Sequence, residues 1–168
     1  MKKNIGIMAM AAILLTACGG DKNSAEFEYA NEKFADLQML RYEVKGWDGL
    51  SLDQKKLVYY LSEAALNGRD ILYDQNCKYN LGVRHLLECI YEYYQGDRET
   101  EEFKAFEVYL KRVWFSNGIH HHYGELKFLP GCPKEWLTET IGELGSNREF
   151  SEKLGMCECD LTTLMNVM

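Results

Sequence analysis

Proline is almost missing from this chain, with Pro130 and Pro133 the only two in 168 residues, and neither a Gly-x-y period nor an internal repeat is present. With 46% apolar residues, that excludes a collagen-like fibre and a disordered polar chain and leaves one ordinary globular domain. Basic clusters are equally scarce. No run exceeds a pair such as Lys2-Lys3, and 19 Lys and Arg face 26 Asp and Glu for a net charge of −7. Counterion release requires clustered cations, so nucleic acid is not an expected partner. The longest apolar run, Ile5 to Leu15, is too short to span a bilayer, which excludes a polytopic membrane protein. Catalytic signatures are missing as well: there is no His-Glu-x-x-His, no His-Glu-x-x-x-His, no Gly-x-Ser-x-Gly and no phosphate-binding Gly-rich loop. No self-contained catalytic centre or metal-ligand set is therefore expected.

What is present begins with an export signal. Lys2-Lys3, the apolar stretch and the following small residues have the order of a secretory signal, and Leu15-Thr16-Ala17-Cys18 has the form of a bacterial lipoprotein processing site. On this reading residues 1–17 are removed and Cys18 carries the lipid anchor. Residues 18–26 form a flexible tether, and the protein is exported and held on the cell envelope rather than spanning it. Loss of Lys2 and Lys3 leaves 17 basic side chains against 26 acidic ones, or −9. Of the other cysteines, Cys77, Cys89, Cys132, Cys157 and Cys159 are odd in number and lack paired Cys-x-x-Cys units, so thiols are expected ahead of disulfides or structural zinc.

Residues 27–168 predict a mainly α domain. Phe27, Ala30, Phe34, Leu37 and Leu40 follow helical spacing, ended by the loop around Gly46. Ser51 and Gln54 form a capping box for a helix over 52–66, with Leu57, Val58, Leu61 and Ala65 on one face. Two more helices follow, one from Tyr79 to Tyr94 and one from Thr100 to about Phe115. Ser116 to Gly124 loses the period and reads as an ordered loop. Pro133 suits the start of a short helix through Ile141, with Gly142, Gly145 and Gly155 breaking the remainder. The tyrosines and Trp114 read as helix packing. Leu161 to Met168 is apolar, with no visible cap or polar tail, and predicts a fold that continues beyond this frame, the chain being a fragment.

Three constellations invite chemistry. His120-His121-His122 cannot converge on one ion from consecutive positions, so it reads as the polar lining of a loop or cleft. His85-x-x-Glu88-Cys89 lacks the second histidine of the inverted zinc motif and reads as two polar side chains on one helix face. Arg69-Asp70 with Asp74-Gln75, straight after Gly68, reads as a turn held by an ion pair.

Longer stretches resemble a known family. Tyr59 to Ile71, Asp74-Gln75-Asn76, Tyr109 to Tyr123 and Lys127-Phe128-Leu129-Pro130 are similar to the N-terminal part of bacterial dipeptidyl-peptidase III, the Bacteroides-type lipoprotein members above all. The likeness covers about residues 27–130 and fades over Gly142 to Asp160. It implies a two-lobed zinc exopeptidase that removes dipeptides from peptide N-termini, with this chain the helical opening part of the lobe opposite the metal. The family's zinc comes from His-Glu-x-x-Gly-His followed by a Glu-Glu pair, and that combination is not in this sequence. The implied role of the loop from Asn117 to Phe128 is a cleft wall, with Asn117, His120, Tyr123 and Phe128 as substrate-contacting residues. Zinc would come with a lobe from an adjacent reading frame, and the chain alone is expected to be inactive. The alternatives are a lipid-tethered helical module that binds peptides without catalysis, and an unrelated structural lipoprotein.

Overall fold

The computed structural model describes residues 27–155 and 160–168, which form a mainly helical fold with one two-stranded hairpin. The signal, Cys18 and its tether, and Cys157 and Cys159, lie outside the described residues.

The first element departs from its helical spacing. Ala30–Phe34 (β1) and Leu37–Leu40 (β2) pair antiparallel, with Phe34 opposite Leu37 and a tight turn in which Ala35 takes φ 49°. Five apolar residues at helical intervals do not separate a short helix from strands whose partners lie elsewhere. The partners here are on another helix: Glu32 pairs with Lys111 and Asp36 with Arg112, and Phe34 alone is buried, edge-on to Phe115 at 6.2 Å. Gln38 Nε2 donates to the carbonyls of Asn31 (3.0 Å) and Glu32 (3.3 Å), satisfying backbone where the register slips between Ala30 and Lys33.

Helix α1 (Leu52–Asn67) has the predicted reciprocal Ser51–Gln54 cap, yet none of its residues is buried. Its tyrosines, Tyr59 and Tyr60, belong to the surface and not to the core expected of them. Where a turn was expected after Gly68, Asp70–Asn76 forms the short helix α2, and Asp70 accepts from Arg84 rather than pairing with its neighbour Arg69.

The core is organised around α3 (Asn80–Tyr93), against which pack α2, α4 (Glu101–Ser116), α5 (Lys134–Leu144) and α6 (Arg148–Leu154). Val83, Leu86, Leu87 and Ile90 recur at three- and four-residue intervals on α3 and meet Phe103, Phe106, Leu110 and Val113 of α4, all at most 2% exposed. Gly142 does not interrupt α5, because a helix with open space at that position tolerates glycine at a modest cost. Two short helices follow the expected break. Asn147 caps α6 by accepting from the Glu149 and Phe150 amides, and Asp160 caps α7 (Leu161–Val167) by accepting from Thr163 N at 3.0 Å. The apolar tail has a cover after all, since Leu164 and Met168 are buried in the same cluster as Leu137 and Phe150.

Among the described residues, Cys77, Cys89 and Cys132 are not disulfide-bonded to one another. Among the described residues no helix is long and apolar enough to cross a membrane.

Candidate functional site

The end of α4 builds a cleft. Asn117 closes the helix in the left-handed region (φ 53°), and Gly118 follows at φ 151° with its N–H bonded to Val113 O at 3.0 Å. The chain then folds back as a narrow loop: Phe128 N donates to Ile119 O (2.8 Å), His121 N to Leu126 O (2.8 Å), and His120 bridges Lys127. The tip closes through Gly124 N to His121 O and through Tyr123 N to His121 Nδ1 at 3.2 Å.

Asn80 fixes this loop to the helical layer. Fully buried at the start of α3, it accepts from Ile119 N at 3.0 Å through Oδ1 and donates to Tyr73 O at 3.2 Å through Nδ2. One side chain therefore ties α2, α3 and the loop together. A Cβ on Gly118 would fall 2.5 Å from Asn80 Cγ, so the backbone can approach this amide only without a side chain.

The cleft is open to solvent on one side and has a volume of about 390 Å³. Its wall is made by Asn76 and Asn80, by Ser116, Asn117 and Gly118, and by His120, His121, His122, Gly124 and Glu125 of the loop. Ser116 Oγ is buried out of reach of solvent and has no hydrogen-bond partner among the described residues. The wall is thus polar, carrying asparagine amides, imidazoles and the Glu125 carboxylate, with the Asn80 amide already engaged by Ile119 N and Tyr73 O.

Beneath it lies a charged and aromatic support. Arg112 pairs with Asp36 and lies 5.2 Å over the Phe128 ring. The Asp36 carboxyl is held below the ordinary aspartate range by its own loop's backbone N–H and by the Arg112 guanidinium. Phe115 meets His122 edge-on at 5.4 Å, and His122 stacks on His121 at 4.6 Å.

Of the residues read from the sequence as substrate contacts, Asn117 and His120 stand on the cleft wall. Tyr123, 89% exposed, stands at the loop tip outside the lining. Phe128, 8% exposed, lies below the wall as core, because Arg112 and Ile119 close over it. Asn80 and Ser116 escaped notice in the sequence. An asparagine in the first turn of a helix looks like an ordinary cap, and a serine in the last turn of α4 carries no signal of its own.

Other candidate chemistry resolves into structure. Glu88 accepts from Arg84 Nε and from Trp114 Nε1, both at 2.8 Å, and is a link between α3 and α4 rather than a proton acceptor for a metal-bound water. Burial pushes the Tyr109 hydroxyl and the Cys132 thiol upward, so neither supplies a nucleophile at neutral pH. The Glu101-Glu102 pair opens α4, where Glu101 faces Lys104 at 3.7 Å. Among the described residues no three His, Cys, Asp or Glu side chains gather as a metal site, and His121 already uses Nδ1 within its loop. The described residues do not assemble a zinc ligand set.

No family model matches the chain, and no curated protein matches it.

Proposed function

We propose that this protein is the peptide-holding, non-catalytic part of a dipeptidyl-peptidase III-type system, tethered to a bacterial envelope through lipid on Cys18. On this reading the cleft between the start of α3 and the loop of residues 116–125 binds a short peptide by its main chain and free N-terminus. Hydrolysis then belongs to a zinc-bearing lobe outside residues 27–168.

The observation that carries the reading is the polar cleft itself, wide enough for a few residues and lined by Asn117, His120 and Glu125. A peptide main chain presents N–H and C=O groups in turn, and each must be matched when it leaves water. Amide side chains match either kind, and the Glu125 carboxylate suits an ammonium group.

Calorimetric titration of the lipid-free chain with a tetrapeptide, free or acetylated at its N-terminus, tests this. Binding of the free peptide, weakened about tenfold by acetylation or by Glu125→Gln, is expected for one lost charge-assisted hydrogen bond. No heat with either peptide would sink the reading. Release of dipeptides by the chain with added zinc would overturn its non-catalytic part.

A further inference from the structure

The tip of the cleft loop is closed by a bond that depends on protonation. Tyr123 N donates to His121 Nδ1 at 3.2 Å, and a ring nitrogen accepts only while it carries no proton. The closed tip therefore holds His121 as the neutral tautomer with its proton on Nε2. Histidine is the side chain whose charge ordinarily changes between pH 5 and 8, so mild acid can remove this bond. The remaining bonds of the loop run between backbone groups and do not titrate: His121 N to Leu126 O, Gly124 N to His121 O and Phe128 N to Ile119 O.

A proton on Nδ1 sets the ring N–H against the Tyr123 N–H, two donors with no acceptor between them, and the ring has to turn away. His121 is stacked on His122 at 4.6 Å with the ring planes 22° apart, so charge on either imidazole works against charge on the other. Its other ring neighbour is Phe128, edge-on at 6.1 Å. From the hairpin turn, Asp36 lies near enough to feel the charge of His121 and favours the imidazolium, but Arg112 of α4 is paired with that same carboxylate and offsets it. The loop itself contributes His120, Glu125 and Lys127, and α2 and α3 present the uncharged amides of Asn76 and Asn80 to the cleft. His121 and His122 both stand on the cleft wall, so a turn of the stacked ring reshapes it.

We infer that His121 is a proton-operated latch on the cleft. Neutral, it closes the tip over residues 121–123; protonated, it releases the tip and takes its imidazole off the wall. The latch follows from the loop's geometry, and its effect on a bound peptide rests on the reading of the cleft given above.

Solvent exchange of single amides, measured by NMR on the lipid-free chain at pH 7.5 and 5.5 and corrected for its intrinsic pH dependence, tests the latch. The ordinary ranges of Asp and Glu lie below this window. In acid the Tyr123 amide is expected to lose about fivefold in protection, the worth of one net hydrogen bond, while the Phe128 amide keeps its own. His121→Asn retains an acceptor for the amide two residues on and cannot titrate, so Tyr123 should be equally protected at both pH values. His121→Phe retains a ring and removes the acceptor, so Tyr123 should be unprotected at both. A Tyr123 amide that does not respond in the unsubstituted chain, or that responds equally in His121→Asn, would overturn the latch. Tetrapeptide titration at the same two pH values separates the two proposals. Acid alone charges the peptide's amino group more fully and strengthens binding, so an affinity that falls about fivefold, and stays level in His121→Asn, ties the latch to the peptide. No binding at either pH removes the peptide reading, and the amide result still decides the latch.

Discussion

Gly118 is constrained twice over, by a φ of 151° and by the Asn80 amide against its Cα. Gly118→Ala is expected to destabilise the fold by about 2–4 kcal/mol, combining backbone strain with displacement of a buried hydrogen-bonded side chain. Urea unfolding measures this, and a loss under 1 kcal/mol would mean that loop and Asn80 can separate freely. Asp36 gives a pH-dependent counterpart. Its folded pKa is depressed, so its contribution is present above the unfolded aspartate pKa of about 3.9 and disappears as pH falls through the lower folded value. Amide exchange in β1 and β2 should therefore speed up relative to the core as pH drops below about 4. Asp36→Asn should abolish that difference, and identical profiles for both proteins would remove the Arg112 pair as the clasp of the hairpin.

The helices differ in what holds them. α3 and α4 are set by apolar periodicity, and their observed limits fall within a residue or two of the predicted ones. α1 has an equally clear start signal but owes nothing to the core. Ser51→Ala removes a cap contributing about 1 kcal/mol to the helix. Exchange within residues 52–67 should rise several-fold, with no shift in the midpoint of core unfolding. A shift of both together would place α1 in the cooperative unit. β1 and β2, α6 and α7 were not legible, for one physical reason. Each is short, and each is defined by a few contacts distant in sequence, such as Phe34 on Phe115 or Phe150 beside Tyr93. Seven residues do not carry enough turns to display a period.

Across the molecule, stability concentrates on α3, the element that packs against four other helices. Leu87→Ala, at a position with no exposure, should cost about 2–5 kcal/mol, whereas Leu57→Ala on the open side of α1 should fall within about 0.5 kcal/mol of zero. Paired chemical denaturation curves decide this, and equal losses would show that α1 is packed in solution.

By itself the sequence determined the mainly helical class, the helices at 52–66, 79–94 and 100–115 to within a residue or two, the aperiodic loop after Phe115 and the want of a catalytic motif, because helical period, capping chemistry and glycine all act over a few neighbouring residues. Tertiary structure alone decided the rest. It turned Phe27 to Leu40 into a hairpin by offering Lys111 and Arg112 to its carboxylates, set Phe128 below the cleft instead of on it, and brought Asn80 to Ile119 across 39 positions of chain. Pairings at that separation depend on where the helices pack, and local sequence carries no record of the packing.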